Sequence, residues 1–438
     1  MKKILLSIFA VCVMLTANAQ VYHWASQIEG TSYDQGLSVS SIGADVYSTG
    51  SFTESTDLDP SSGVLSFTSN GGHDVYIQKL DDNGDLLWGK TVGGSGNDLG
   101  RVINDYGNHI IITGTFQDSV DFNPGTPTHF KTSNGGYDIF VLALDANGDF
   151  LWVNTFGGLQ NETIGGQELD SADDIVITGS FIDSMTVEVN GLLDTVYATG
   201  SASTDIYVLK MDLTTGDAIW IKNMGSTGID KGLGLVIKAN DNILVTGTFR
   251  GIMDADPDTS STSVFALDAS TFTNTFLVEL DAFGNFVNAF SFYNTNVMEV
   301  YDIELDGSEN IYLTGPFKNT TDFDPKSGIT NISSNGIQDC YVVKLNAAKD
   351  LLWARTFGGI GTDQSFGVEV AANGDVYTCG RYRSNIDFDP GIGIDNHTAT
   401  GTGFQENQTC QQLSDGPIHS SASLKTMILK PCWQAYAN

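Results

Sequence analysis

Five short acidic segments hold the side chains best suited to chemistry: Asp57-Leu58-Asp59-Pro60, Asp121-Phe122-Asn123-Pro124, Asp254-Ala255-Asp256-Pro257, Asp322-Phe323-Asp324-Pro325 and Asp387-Phe388-Asp389-Pro390. Hard cations take several oxygen ligands, so closely spaced carboxylates beside main-chain carbonyls are a donor set suited to calcium. On that reading the ligands are Asp57, Asp59, Asp121, Asp254, Asp256, Asp322, Asp324, Asp387 and Asp389. The same residues have a plainer use, because short carboxylates cap turns through backbone N–H groups and proline fixes the local backbone. No EF-hand loop accompanies them, and Thr186-Val187-Glu188-Val189-Asn190 lacks the pattern at the comparable place.

Other familiar chemistries find little support. The histidines, at 23, 73, 109, 129, 397 and 419, show no metal-ligand spacing, and no Gly-x-Ser-x-Gly elbow marks a nucleophile. Gly93-Gly94-Ser95-Gly96 has no phosphate-binding lysine in a P-loop arrangement. Past the N-terminal leader the cysteines are Cys340, Cys379, Cys410 and Cys432, with no zinc spacing. Bridges Cys410–Cys432 and Cys340–Cys379 are both open at this point.

Charge narrows the partners. The chain has 53 acidic and 20 basic residues, a formal charge of −33. Such a surface repels nucleic acid and anionic membrane and attracts cations or basic proteins. Met1-Lys2-Lys3, the apolar run Ile4 to Leu15 and the small-residue stretch Thr16-Ala17-Asn18-Ala19 predict a signal peptide over 1–19, with Gln20 opening the mature chain. The run is shorter than the roughly 20 residues of a spanning helix, and no later transmembrane segment is expected. The expected location is secreted or periplasmic, with association at the cell surface left open.

The elements that position the acidic segments follow a period. Thr49-Gly50, Thr113-Gly114, Thr178-Gly179, Thr246-Gly247, Thr314-Gly315 and Cys379-Gly380 place glycines 64, 65, 68, 68 and 65 residues apart. In the five acidic segments the first aspartate falls seven residues after such a glycine. Within one period four β segments are expected, about Gly100–Asn104, His109–Phe116, Asp138–Leu144 and Phe150–Phe156, the last two joined by the tight turn at 146–149. Trp88, Trp152, Trp220 and Trp353 recur on the fourth segment and are expected to pack between neighbouring sheets.

Tyr22 to Gly30 matches the end of a unit whose beginning is absent, while the last unit lacks its tryptophan strand. These complementary ends predict an all-β, six-bladed β-propeller with four-stranded blades, closed by the N-terminal strand. The propeller is assigned to 20–404. An atypical tail, 405–438, is expected to supply the missing third strand of the closing blade from Ser423–Leu429. Acids in the inter-unit connections, Asp34, Asp98, Glu162, Asp230 and Asp363, should then share a rim with the acidic segments, as cation ligands or as turn caps.

The ordered blocks Ile112-Thr113-Gly114-Thr115-Phe116, Asp121 to Gly125, Tyr137 to Val141 and Leu151-Trp152 through Gly158 resemble the bacterial β-propeller repeat family of exported proteins, over roughly residues 24–404. The resemblance implies a scaffold and a surface or secreted role, and carries no catalytic residues onto this chain. The functional expectation is a noncatalytic recognition or scaffolding module that uses its acidic loop face. Its partners would be an extracellular or periplasmic protein, basic in character, or a polysaccharide. The alternative is an extracytoplasmic carbohydrate-active enzyme.

Overall fold

The computed structural model describes residues 28–42, 45–200, 202–257, 266–292, 296–371, 373–388, 396–398 and 407–413. The expected signal peptide, the strand from Tyr22 and the tail segment Ser423–Leu429 lie outside them.

The all-β expectation holds. Segments of Ile, Val, Leu and Phe bounded by Asp, Asn and Gly form strands where the pattern places them, including Asp138–Leu144 and Phe150–Phe156. The sheets pack on both faces, so central strands lose the alternation of a half-exposed sheet. Every residue of Asp74–Leu80, Ile110–Phe116, Asp138–Leu144 and Asp339–Leu345 is buried. Phe116, Phe122 and Phe140, all fully buried, meet at ring-centroid distances of 5.0 to 6.4 Å. Each such side chain contributes on the order of 2 kcal/mol through burial.

The closed six-bladed propeller is corrected. The described strands form eight separate sheets: three of six strands, two of four, two of three and one of two. Among the described strands pairing is antiparallel apart from Val189 with Ala218, and isolated parallel bridges join Thr204 to Ile229 and Gln338 to Thr362. Their edge strands Asp34–Ile42, Leu99–Asp105, Thr163–Leu169, Lys231–Ile237, Asp302–Leu305 and Gln364–Val370 belong to six different sheets, and no ladder joins one to the next. Nor does the described N-terminal strand finish the last sheet. Glu29–Gly30 pairs with Ser55–Asp57, and Asn407–Leu413 pairs with Val376–Tyr382 as the third strand of the final sheet. Gly93–Gly94 and Gly358–Gly359 make the same contact with Ser119–Asp121 and Asn385–Asp387, so this pairing is local, set by the short connection between the two segments.

Neighbouring sheets are tied by side chains. Trp88 Nε1–H donates to the Ala146 carbonyl at 3.1 Å and Trp152 Nε1–H to the Leu213 carbonyl at 3.1 Å, each reaching the turn of an adjacent sheet. Gly216, at φ +76°, closes the turn under Trp152, where a Cβ would meet the indole. Cys340 is buried and free whereas Cys379 is disulfide-bonded, so these two are not each other's partners. Cys379 stands opposite Cys410 in the ladder, and Cys432 lies outside the described residues. No helix among the described residues is long and apolar enough to cross a membrane.

Candidate active site

The edge strands are bent by a recurrent irregularity. Register slips by one residue between Gly36 and Ser38, Gly100 and Val102, Ile164 and Gly166, Gly232 and Gly234, and Ser365 and Gly367. A bulge leaves one residue unpaired and re-aims its side chain. Four of the five skipped residues, Arg101, Gly165, Leu233 and Phe366, line one cavity of about 320 Å³, while the fifth, Leu37, is fully buried.

All six edge segments contribute to that cavity, which brings Arg101, Glu168, Asp302 and Glu369 together with Phe366 and Tyr301. Tyr301 and Phe366 stack at 5.7 Å with planes 13° apart, and the Arg381 guanidinium lies 5.3 Å from the Phe366 ring. Asp302 is held firmly, since Ile303 N–H donates to its Oδ1 and Val368 N–H to its Oδ2, both at 2.9 Å. Gln167 is fixed from behind by a hydrogen bond from Thr113 Oγ1. Burial pushes the Arg101 pKa down from its ordinary value, opposed by the nearby Tyr137 and Tyr33 phenols, yet a guanidinium stays cationic.

None of these residues stood out in the sequence. The signal lay in the spacing: Arg101 and Phe366 each follow an acid, Asp98 or Asp363, by three positions, with a small residue, Gly100 or Ser365, in between.

The predicted acidic ligands lie elsewhere, on separate hairpins. Asp57 Oδ1 accepts the N–H groups of Asp59 at 3.0 Å and Leu65 at 2.8 Å. Asp121 does the same for Asn123 and His129, and Asp322 for Asp324 and Thr330. Asp59 accepts from Ser61, Asp254 from Asp256 and Asp324 from Lys326. Asp387 pairs with Asn396 across its own hairpin, and Asp389 lies outside the described residues. The turn-capping use is therefore realised in these loops. Among the described residues, no group of three or more His, Cys, Asp or Glu is arranged to hold a metal ion.

The inter-unit acids are not a solvated rim. Asp98, Glu162, Asp230 and Asp363 are 0 to 1% exposed. Asp98 accepts from Gly94 and Gln117, Asp230 from Ser226 and Arg250, and Asp363 from Gly359 and Arg383, all backbone N–H groups. Burial raises the Asp98 pKa to about 7 against those hydrogen bonds, with the Asp74 charge adding to the rise.

No protein-family model matches the chain, so the resemblance to the bacterial β-propeller repeat family is not upheld, in keeping with the eight unclosed sheets. An uncharacterized WD repeat-containing protein of Acanthamoeba polyphaga mimivirus is 23% identical over 325 residues, covering 63% of this chain. The chain spans only 23% of that relative's length. Among solved structures, a quinohemoprotein alcohol dehydrogenase from Comamonas testosteroni is 11% identical over 77% of this chain and 61% of its own, with a TM-score of 0.33. Another, from Pseudomonas putida HK5, is 9% identical over 79% and 69%, with a TM-score of 0.35. At these scores the likeness defines neither the fold nor the activity of this chain.

The expectation of a noncatalytic scaffold acting through an acidic loop face is corrected too. It required a closed ring presenting those loops together. Instead the loop carboxylates serve their own turns, and the described concavity with converging ionisable groups is formed by other residues.

Proposed function

We propose that this chain is an extracytoplasmic carbohydrate-active enzyme whose substrate is engaged in the cavity between the six edge strands. One observation carries the reading: Glu168, Asp302 and Glu369 converge with Arg101 and the stacked Tyr301–Phe366 pair on a single concavity of about 320 Å³. That volume lies within the range of small-ligand sites. Glycoside hydrolysis needs two carboxyl groups in unlike environments, one to donate a proton and one to act as base or nucleophile. Asp302, whose two carboxylate oxygens each accept a backbone N–H, suits the second role. Glu168, on Thr163–Leu169, and Glu369, on Gln364–Val370, are the acid candidates. The Phe366 face offers a stacking surface to a sugar ring.

A secreted or periplasmic location belongs to this reading, and the Met1–Ala19 pattern supports it. The test is release of reducing ends from a polysaccharide panel by purified mature protein, with Asp302→Asn, Glu168→Gln and Glu369→Gln in parallel. Turnover abolished by Asp302→Asn and by one of the two glutamate variants, in folded proteins, is the expected result. No turnover across the panel, or turnover indifferent to all three substitutions, overturns the proposal.

A further inference from the structure

Glu162 stands apart from the acids at comparable positions. Asp98, Asp230 and Asp363 each accept two backbone N–H groups. Glu162 is 1% exposed and lacks the pair of close backbone donors that those acids have, the Gly158 N–H alone favouring its ionised form without closing a hydrogen bond of ordinary length. Beside it Asp138, also 1% exposed, accepts from Asn134 through Oδ2 while its Oδ1 has no partner. The two carboxylates converge on the side of Gly157, where a Cβ would lie 2.6 Å from Asp138 Oδ1 and 2.7 Å from Glu162 Oε2. Two buried, adjacent anions with unsatisfied oxygens do not persist; something neutralises one of them.

A divalent metal would need several more oxygen ligands, and no third His, Cys, Asp or Glu joins these two among the described residues. A proton needs no further ligand. We infer that Glu162 is a neutral carboxylic acid at neutral pH, its O–H donated to Asp138 Oδ1, so that the pair forms a pH-sensitive latch at the entry to strand Thr163–Leu169. Breaking the latch moves one proton from Glu162 to solvent and leaves two carboxylates facing each other. The ionisable groups facing Glu162 are Asp138, at the start of Asp138–Leu144, and Tyr207, on Thr204–Asp212, whose Oη–H donates to the Thr163 carbonyl at 3.1 Å. Neither supplies a positive charge. Burial, with the Asp138 charge adding to it and the Gly158 N–H opposing it, pushes the Glu162 pKa up to about 9.

The latch bears on the cavity because Thr163–Leu169 carries Gln167 and Glu168 into its wall. It stands independently of the enzymatic reading. The sign follows from linkage: a carboxyl raised from its ordinary 4.5 to about 9 gives stability that is fully present below 4.5 and is lost as pH rises through about 9.

The test is difference infrared spectroscopy of the full mature chain against Glu162→Gln at about pH 8, where ordinary carboxyls are ionised, together with urea unfolding across pH. A protonated-carboxyl band present in the wild type and absent from the variant is expected, with the decline of stability on the alkaline side reduced in Glu162→Gln. Asp138→Asn serves as a second variant and should move the loss of the band to lower pH. No such band in the wild type, an unchanged pH slope in Glu162→Gln, or stabilisation by calcium chloride that depends on Glu162 overturns the inference.

Discussion

Lys349 Nζ lies 2.6 Å from Glu279 Oε2, joining a turn of one sheet to a strand of another 70 positions away in sequence. The Glu279 side chain is only 8% exposed, and its Oε1 also meets Lys238 Nζ at 3.2 Å and Asn242 Nδ2 at 2.9 Å. A buried carboxylate so surrounded is an electrostatic tie between sheets that no backbone ladder connects.

Removing the Glu279 charge should cost stability. Glu279→Gln leaves the half-buried Lys349 without its anion and Lys238 with only Glu309 at 3.5 Å, and a loss on the order of 2 kcal/mol is expected in urea unfolding at neutral pH. An unchanged midpoint would show that the tie contributes nothing.

The same residue sets an acid limit. Burial alone would raise the Glu279 pKa, but Asn242, Lys349 and Lys238 outweigh it and hold the group at about 2. A depressed carboxyl contributes stability above its ordinary 4.5 that is lost as pH falls toward about 2. Wild type should therefore lose more stability than Glu279→Gln between those values, read as the narrowing gap between their melting temperatures.

Gly216 tests the packing of a tryptophan on a neighbouring turn. Alanine there would take a positive φ and push its Cβ into the Trp152 ring. The expected loss is about 1–3 kcal/mol, combining the left-handed backbone with overpacking. Alanine at Gly191, also at positive φ but with nothing near its Cβ position, should lose only the backbone part. Equal losses in the two variants would remove the indole from the account.

The capping role of Asp121 makes a similar prediction. Asp121→Ala takes the acceptor from Asn123 N–H at 3.1 Å and His129 N–H at 2.7 Å. A destabilisation of about 1–2 kcal/mol is expected. Asp121→Asn keeps an acceptor oxygen and should restore most of it, whereas an alanine variant as stable as wild type would dismiss the cap.

How much of this was legible follows from the range over which each feature is determined. Asp138–Leu144 and Phe150–Phe156 were readable because β-forming side chains and the turn glycine Gly148 act within a few residues. The carboxylates at Asp57 and Asp121 were readable as turn caps for the same reason. Ring closure was not, because it concerns which edges meet, and the described edge strands from Asp34–Ile42 to Gln364–Val370 lie in six sheets that no ladder joins. Burial of Asp98 and Glu162 depends on sheets packing above them, which a charged letter in a connection does not announce. Arg101 and Phe366 reach the cavity only because two strands slip in register, a property of the pair rather than of either segment.

Phe366 is where that slip meets the proposed chemistry. Its ring is stacked on Tyr301 and has the Arg381 guanidinium over it at 5.3 Å. Phe366→Ala should leave the carboxylates in place while removing the surface on which a sugar ring would rest. The expected result is an increase in KM of about tenfold, equivalent to about 1.4 kcal/mol of lost binding, with kcat changed less than twofold by that order-of-magnitude argument. Phe366→Tyr keeps the ring and should retain near-normal KM. A fall in kcat with KM unmoved would instead place Phe366 in support of Asp302, whose Oδ2 accepts the N–H of Val368 two residues along the same strand.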